Sequence, residues 1–369
     1  MEISYEKKVV RFFILLLLIA FFITGCNQET TLVENEGLTP QYTSAITQGV
    51  TSTPTIVSTV SPIPSSTIPF LTSIPTNLPL PELHLTYISD RHKGYYGVYA
   101  VEIGCLEADQ ICITEPQLLF ESETRINYIA WSPNGMHVAY ASIGVENDFD
   151  IYLAESDGRN VINLTNSFGD ESSPVWSPDG LSLAYIYGSS RERAQIRILD
   201  LRTGTITLFL EELVNPTSFI WAPDGEHTAY SACLSSTDCH TRITITDLAG
   251  TPLEQIPEIS SDNLDAGNTS FSPDSQYLVF SARIFPTLGL SQDNIYITNV
   301  NDITEINLIS DMHNSLGPRW STLNNWIAFY SDQSGNYDVY IIKPDGSNLI
   351  NITQQPENDV QPAWRLVNP

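Results

Sequence analysis

One phrase returns along the chain at a nearly fixed interval: Trp131-Ser132-Pro133-Asn134-Gly135, Trp176-Ser177-Pro178-Asp179-Gly180 and Trp221-Ala222-Pro223-Asp224-Gly225. It recurs as Phe271-Ser272-Pro273-Asp274, shortens to Trp320-Ser321, and leaves Pro362-Ala363-Trp364 near the C-terminus. The aromatic anchors stand 45, 45, 50, 49 and 44 residues apart. A period of that size marks a repeat architecture, in which each supersecondary unit buries its faces only against its neighbours. The repeats occupy nearly all of the chain beyond its first eighty residues, which leaves little room for a separate catalytic domain.

Nine residues after each of the first five anchors stands a second aromatic: Tyr140, Tyr185, Tyr230, Phe280 and Phe329. The constant offset fixes the length of two strands and the turn between them. In that turn proline pre-sets φ, Asp or Asn bonds its own backbone, and glycine accepts a positive φ. The second strand reads as an apolar run, such as Ser182-Leu183-Ala184-Tyr185, which suits a strand buried on both faces. A third strand alternates aliphatic with polar or aromatic residues, as in Asp150-Ile151-Tyr152-Leu153 and Asp338-Val339-Tyr340-Ile341. A second turn (Asp157-Gly158, Thr203-Gly204, Ala249-Gly250, Asp345-Gly346) leads to a short fourth strand such as Ile162-Asn163-Leu164-Thr165. Four antiparallel strands in about 45 residues make a propeller blade.

Leu85 to Ser89 reads as a second strand with no anchor strand before it, Tyr96 to Ile103 as its third strand and Pro116 to Phe120 as its fourth. The missing first strand is the orphan Pro362-Ala363-Trp364. The expected fold is therefore all-β: a six-bladed propeller over residues 83–369, closed by half-blades from the two ends of the chain so that no sheet edge stays free. The constant offsets and the complementary half-repeats set it apart from a β-sandwich of the same hairpins.

These repeats resemble the TolB-type, WD-repeat-like propeller repeats of bacterial envelope proteins. Pro174-Val175-Trp176-Ser177-Pro178-Asp179-Gly180 matches the first element of that pattern, and Asp338-Val339-Tyr340, Asp345-Gly346 and Ile352-Thr353 match the later ones. The resemblance implies the fold over nearly all of 83–369. For function it implies a choice, since repeats of this type serve binding scaffolds, peptidase-gating domains and some lyases.

The N-terminus reads as an export signal over residues 1–25. Lys7, Lys8 and Arg11 precede an apolar core, Phe12 to Ile23, that is too short for a comfortable membrane span. Ile23-Thr24-Gly25-Cys26 resembles a bacterial lipobox, which implies lipidation of Cys26 and a location in the cell envelope, anchored outside the cytoplasmic membrane. Residues 26–82 follow as a tether rich in Thr, Ser and Pro, with no Lys or Arg. Such a composition buries no core; it reaches roughly 170 Å as polyproline II and about 40 Å as a flexible coil. The other four cysteines fall into close pairs, Cys105 with Cys112 and Cys233 with Cys239, which in an exported chain favours two disulfides closing small loops. With no C-x-x-C and only His240 beside them, zinc is the weaker alternative.

The formal net charge is −27, which repels nucleic acid and gains nothing from anionic lipid. Some of the acid is placed. The loops entering each innermost strand carry Arg125, Asp170 and Glu171, Asn215, Asp265, Asn314, and Asn358 with Asp359, five or six residues before the anchor and near one mouth of the channel. Asp170, Glu171, Asn215, Asp265, Asn314 and Asp359 are candidate ligand-binding residues, for Ca2+ or a cationic peptide. Asp and Asn are also ordinary turn formers, and that alternative stays open. The loop Ala282 to Asn294 is apolar, and Ile284, Phe285, Leu288 and Leu290 form a candidate partner surface or a cover for a neighbouring blade. No G-x-S-x-G, H-E-x-x-H or P-loop occurs. His137 and His227 share one repeat position, and His313 lies at the mouth. The expected protein is a monomeric, non-enzymatic scaffold without a resident cofactor. It binds a protein, a peptide or an envelope polymer, and does not bind nucleic acid. A propeller enzyme such as a glycan lyase, or a subunit gating a separate peptidase, is the rival expectation.

Overall fold

In the computed structural model, which describes residues 82–92, 95–104, 112–144, 146–188, 194–211, 213–233, 241–253, 264–284, 292–323 and 325–367, the repeats form six antiparallel sheets. Blade one holds β1 (Glu82–His92), β2 (Tyr95–Gly104), β3 (Cys112–Ile113) and β4 (Gln117–Ser122); blade two holds β5 (Ile126–Trp131), β6 (His137–Ile143), β7 (Phe149–Glu155) and β8 (Ile162–Asn163). Blade three is β9 (Glu171–Trp176), β10 (Ser182–Tyr187), β11 (Gln195–Asp200) and β12 (Ile206–Leu208). Blade four is β13 (Val214–Trp221), β14 (His227–Cys233) and β15 (Thr241–Asp247). Blade five is β16 (Leu264–Phe271), β17 (Tyr277–Ile284), β18 (Gln292–Asn299) and β19 (Asp302–Ser310). Blade six is β20 (Leu316–Trp320), β21 (Ile327–Ser331), β22 (Asp338–Ile342) and β23 (Ile350–Asn351), and β24 (Asp359–Val367) returns to blade one. Among the described residues blade four has no fourth strand, only an isolated bridge between Thr246 and Pro252.

The repeated phrase closes the first hairpin of blades two, three and five through its side chains. Ser177 Oγ donates to Asp179 Oδ1 and accepts from Ser182 N, while Leu181 N donates to the same Asp179 oxygen. Ser132 with Asn134 and Ser272 with Asp274 repeat the pattern. These bonds hold the Asp179 and Asp274 carboxyls below the usual range, the serine hydroxyl being the largest cause. The third residue after the serine takes a positive φ: 68° at Gly135, 70° at Gly180 and 60° at Ser275.

Each second strand sends successive side chains to different neighbours, which is why it reads as a continuous apolar run. Leu183 and Tyr185 pack with Ala139, Ala141 and Ile151 of blade two, whereas Ala184 and Ile186 pack with Phe219 and Tyr230 of blade four. Six clusters of this kind fill the six junctions between blades. Each large side chain fully buried there contributes about 1.5–3 kcal/mol. The anchor indoles reach across the same junctions. Trp176 Nε1 donates to the carbonyl of Ala130, Trp364 Nε1 to that of Arg319, and Trp131 Nε1 to Thr86 Oγ1.

β24 closes the ring. It pairs antiparallel with β1, with Leu85 opposite Trp364, Thr86 opposite Ala363 and Ser89 opposite Asp359. Thr86 Oγ1 donates to the Ala363 carbonyl, and Arg91 Nη2 donates to both Asp359 oxygens at 3.0 and 2.9 Å. The strand also clamps blade two. Arg365 lies 4.6 Å over the Trp131 ring and donates to the Gly135 carbonyl, where a Cβ would fall 1.7 Å from the Leu366 oxygen. The innermost strands touch in the order β24, β5, β9, β13, β16, β20 and back to β24.

Candidate functional site

All six innermost strands carry a β-bulge. The register slips between Asn127 and Ala130, Ser172 and Val175, Val214 and Ser218, Gly267 and Ser270, Leu316 and Arg319, and Val360 and Ala363. Within each slip one residue sits in the left-handed region: Tyr128 (φ 53°), Ser173 (54°), Asn215 (46°), Asn268 (48°), Gly317 (59°) and Gln361 (55°). Five of these are not glycine, and each such residue costs on the order of 1–3 kcal/mol. Gly317 has a second reason to be glycine, because a Cβ there would stand 2.7 Å from the Tyr330 ring. A bulge bends its strand and re-aims the side chains beside it. Six at one level make a ring of redirected residues around the axis.

Below that ring lies a cavity of about 450 Å3, walled by all six innermost strands. Ser173, Thr217, Ser218 and Asn268 give it hydroxyl and amide groups, and the anchor tryptophans with Pro133, Pro178 and Pro223 make its apolar end. Its size falls in the range of about 300–1,000 Å3 typical of ligand sites. One charged side chain lines it, Arg319. The neighbours of Arg319 are the carbonyl of Pro318, which accepts from Nη1 at 3.0 Å, and the phenols of Tyr330 and Tyr128. Burial pulls its guanidinium below the usual value. At the equivalent position the other strands carry Ala130, Val175, Ile220, Ser270 and Ala363. Two further polar groups of the wall, Thr269 Oγ1 and Trp320 Nε1, are buried with no hydrogen-bond partner.

The residues expected at the mouth are distributed as follows. A second cavity of about 340 Å3 brings Arg125 and Asn358 together with Asp90, Asn127, Tyr330 and Gln361. Asn358 donates to Asp90 through N and Nδ2 and accepts from Tyr337 N. Asp170 is exposed and accepts from Phe149 N. Asn314 donates to Asp332, which also pairs with His313. Asn215 holds its bulge, and Asp265 pairs through its backbone with Arg283. Glu171 and Asp359 have no exposed surface. Phe285, Leu288 and Leu290 lie outside the described residues, and Ile284 is placed by its backbone pairing with Gln292. Cys112 and Cys233 are disulfide-bonded, while Cys26, Cys105 and Cys239 lie outside the described residues. Among the described residues, the three-member group of possible metal ligands with atoms within 4.8 Å of one another is Glu82, His84 and Glu102, on β1 and β2 rather than on an innermost strand.

Glu171 and Asp359 occupy equivalent positions, each at the start of an innermost strand and beside the third strand of the preceding blade. Thr165 donates to Glu171, and Thr353 is a hydrogen-bond partner of Asp359. Asn163 donates to Asp150 at 2.7 Å and Asn351 to Asp338 at 2.9 Å. The two junctions differ in charge. Asp359 faces the Arg91 guanidinium, whereas Glu171 faces Asp150, which is 2% exposed and whose Oδ1 has no partner. Burial, followed at a distance by the Asp150 charge, pushes the Glu171 carboxyl up to about 7 against bonds from Ser167 and Thr165. Glu171 therefore holds its proton close to neutrality.

The sign of the linkage follows. Below about pH 4.5 Glu171 is protonated in both the folded and the unfolded chain, and its burial carries no charge penalty. Between there and about 7 only the folded chain holds the proton, so stability from this pair falls as pH rises. Glu171→Gln mimics the protonated acid and offers Asp150 a permanent N–H. Calorimetry is expected to find the variant level with the parent near pH 4.5 and more stable by about 1–3 kcal/mol at pH 8. A difference that stays constant with pH would show that Glu171 keeps no proton in that range.

The sequence alone does not mark Arg319, Thr269 or the bulge residues other than Asn215. Aligning the repeats on their anchors exposes the first: at the position before the anchor, arginine occurs once and every other residue is uncharged. Nothing in Tyr128 or Gln361 advertises a positive φ.

The model for the TolB beta propeller domain matches residues 218–367. Among solved structures, TolB from Acinetobacter baumannii superposes with a TM-score of 0.60 at 17% identity, covering 76% of this chain and 66% of that one. The putative TolB from Agrobacterium tumefaciens gives 0.55 at 15% identity, covering 78% and 98%. A chain of a nidogen/laminin complex gives 0.59 at 12% identity, covering 78% and 100%. The chain thus spans just under two thirds of the Acinetobacter protein, and at these identities the likeness is one of fold. No curated protein matches in sequence.

Proposed function

We propose that this chain, a TolB-type six-bladed β-propeller, is a non-enzymatic binding scaffold of the cell envelope whose protein, peptide or polymer ligand enters the central channel. The observation that carries this reading is the cavity below the ring of bulges. Five of the six strands accept a non-glycine residue of unfavourable φ there, and strain of that kind persists at sites where the geometry is used. Likeness to TolB-type propellers supports a protein partner and an envelope location in general terms.

Hydrogen exchange in the presence of a native envelope extract tests it. Protection is expected on the innermost strands, over 126–131, 171–176, 214–221, 264–271, 316–320 and 359–367. Protection confined to outermost strands such as β19 would place the ligand on the rim of the propeller and contradict the reading.

The same proposal includes the anchor and the loop staples. Lipid on Cys26, followed by the tether, holds the scaffold at the membrane, and Cys105–Cys112 and Cys233–Cys239 are the disulfide pairs. Cys26→Ser is expected to release the protein into the soluble fraction with its N-terminal segment uncleaved. Membrane retention of that variant with a mature N-terminus elsewhere would remove the lipid anchor from the account.

A further inference from the structure

We propose that the lower channel is a carboxylate-binding site, with Arg319 as the charge partner and Thr269 Oγ1 and Trp320 Nε1 as neutral donors. The inference rests on the channel being the binding site, and it adds the chemistry of the group bound there.

Three observations converge. First, among the described residues Arg319 is the one charged residue of the cavity wall, in a chain of formal net charge −27. Not one of the chain's carboxylates among the described residues pairs with it; its polar neighbours are a carbonyl and two phenols. A partly buried cation without a counter-charge is costly, and the usual answer is an ion pair. Arg91, which meets Asp359, and Arg283, which meets Asp293, show that this chain makes such pairs elsewhere. Second, Thr269 is 1% exposed and Trp320 7% exposed, and neither the hydroxyl nor the indole N–H has a partner among the described residues. The indoles of Trp131, Trp176 and Trp364 all donate to the preceding blade, whereas that of Trp320 is buried without a partner. Third, Thr269, Arg319 and Trp320 line one cavity.

The donor set fits a monoanion. One guanidinium offers two parallel N–H groups to a planar carboxylate, and a hydroxyl and an indole can serve the remaining lone pairs. A phosphate dianion would need a second cation, and among the described residues no other charged side chain lines the cavity. A cationic ligand group would meet Arg319 with like charge. The tryptophan and proline residues around the site suit an apolar body next to the carboxylate.

The probe is benzoate, titrated to tens of millimolar against benzamide and inorganic phosphate, with the 15N-indole spectrum as readout. Trp320→Phe assigns the Trp320 signal. Benzoate is expected to move that signal in a saturable way, and benzamide to leave it in place. Arg319→Met is expected to weaken the benzoate response more than tenfold while the melting temperature stays level or rises, because the variant removes an unpaired cation. Thr269→Val, close in shape, is expected to weaken benzoate severalfold. The proposal fails if benzoate produces no shift, if benzamide or phosphate acts as strongly, or if Arg319→Met responds as the parent does. Exchange protection on the innermost strands together with a silent benzoate titration would remove the carboxylate and leave the channel as the binding site.

Discussion

Deleting residues 359–369 is expected to abolish cooperative unfolding, not merely to lower the melting temperature. The deletion takes away β24, the innermost strand of blade one. Trp364 leaves the junction between blades six and one, and losing a buried tryptophan costs about 3–5 kcal/mol. Arg91 loses Asp359, and an ion pair broken inside a protein costs a further 3–5 kcal/mol or so. The clamp on Trp131 and Gly135 disappears as well. Together these reach the whole stability of an ordinary domain, about 5–15 kcal/mol. β1, eleven residues long, would become an open edge ready to pair with another chain. Calorimetry and light scattering should show an aggregating protein without a sharp transition. A control separates closure from loss of residues. Glu82 pairs with Val367, so a short linker can join these ends and new termini can be opened at Thr203-Gly204. That permutant is expected to melt within a few degrees of the parent. A truncated chain that melts like the parent would mean that the ring is closed elsewhere.

The repeat phrase made most of this fold legible in the sequence, for a physical reason. Ser-Pro-Asp-Gly is a local structure: serine, aspartate and a residue of positive φ close the turn among themselves, so the turn is written where it occurs. The aromatic nine residues on is legible because the hairpin length is fixed. Closure could be read because two incomplete halves stood at the two ends. The outermost strands are a different case. β8, β12 and β23 are two or three residues long and partly or fully exposed, so packing writes little into them, and blade four shows no such strand among its described residues.

The site was less legible. Bulges are set by the register between strands, and Tyr128, Ser173 and Gln361 carry no local mark of a left-handed backbone. The isolation of Arg319 depends on five other strands placing no carboxylate on the cavity wall among the described residues, a property of the ring and not of the tripeptide Pro318-Arg319-Trp320. The acids, by contrast, stood out in the sequence because they are charged. The structure puts Glu171 and Asp359 into buried junctions, where Asp150 and Arg91 give two equivalent positions opposite electrostatic surroundings.

The most direct test of the channel as the binding site is to fill it. Thr217 lines the cavity from β13, is itself exposed, and shares one hydrogen bond with Ser231, which keeps a second one from Ser218. Thr217→Trp therefore puts a large ring into the cavity of about 450 Å3 with little loss to the wall. Its melting temperature is expected to stay within a few degrees of the parent's, since Thr217 is exposed and its hydroxyl partner Ser231 keeps the bond with Ser218. Retention of the ligand captured from a native envelope extract, measured side by side on the immobilised parent and variant, should fall at least tenfold. Equal retention by a variant that folds and melts as the parent does would contradict the account and move the binding site off the channel.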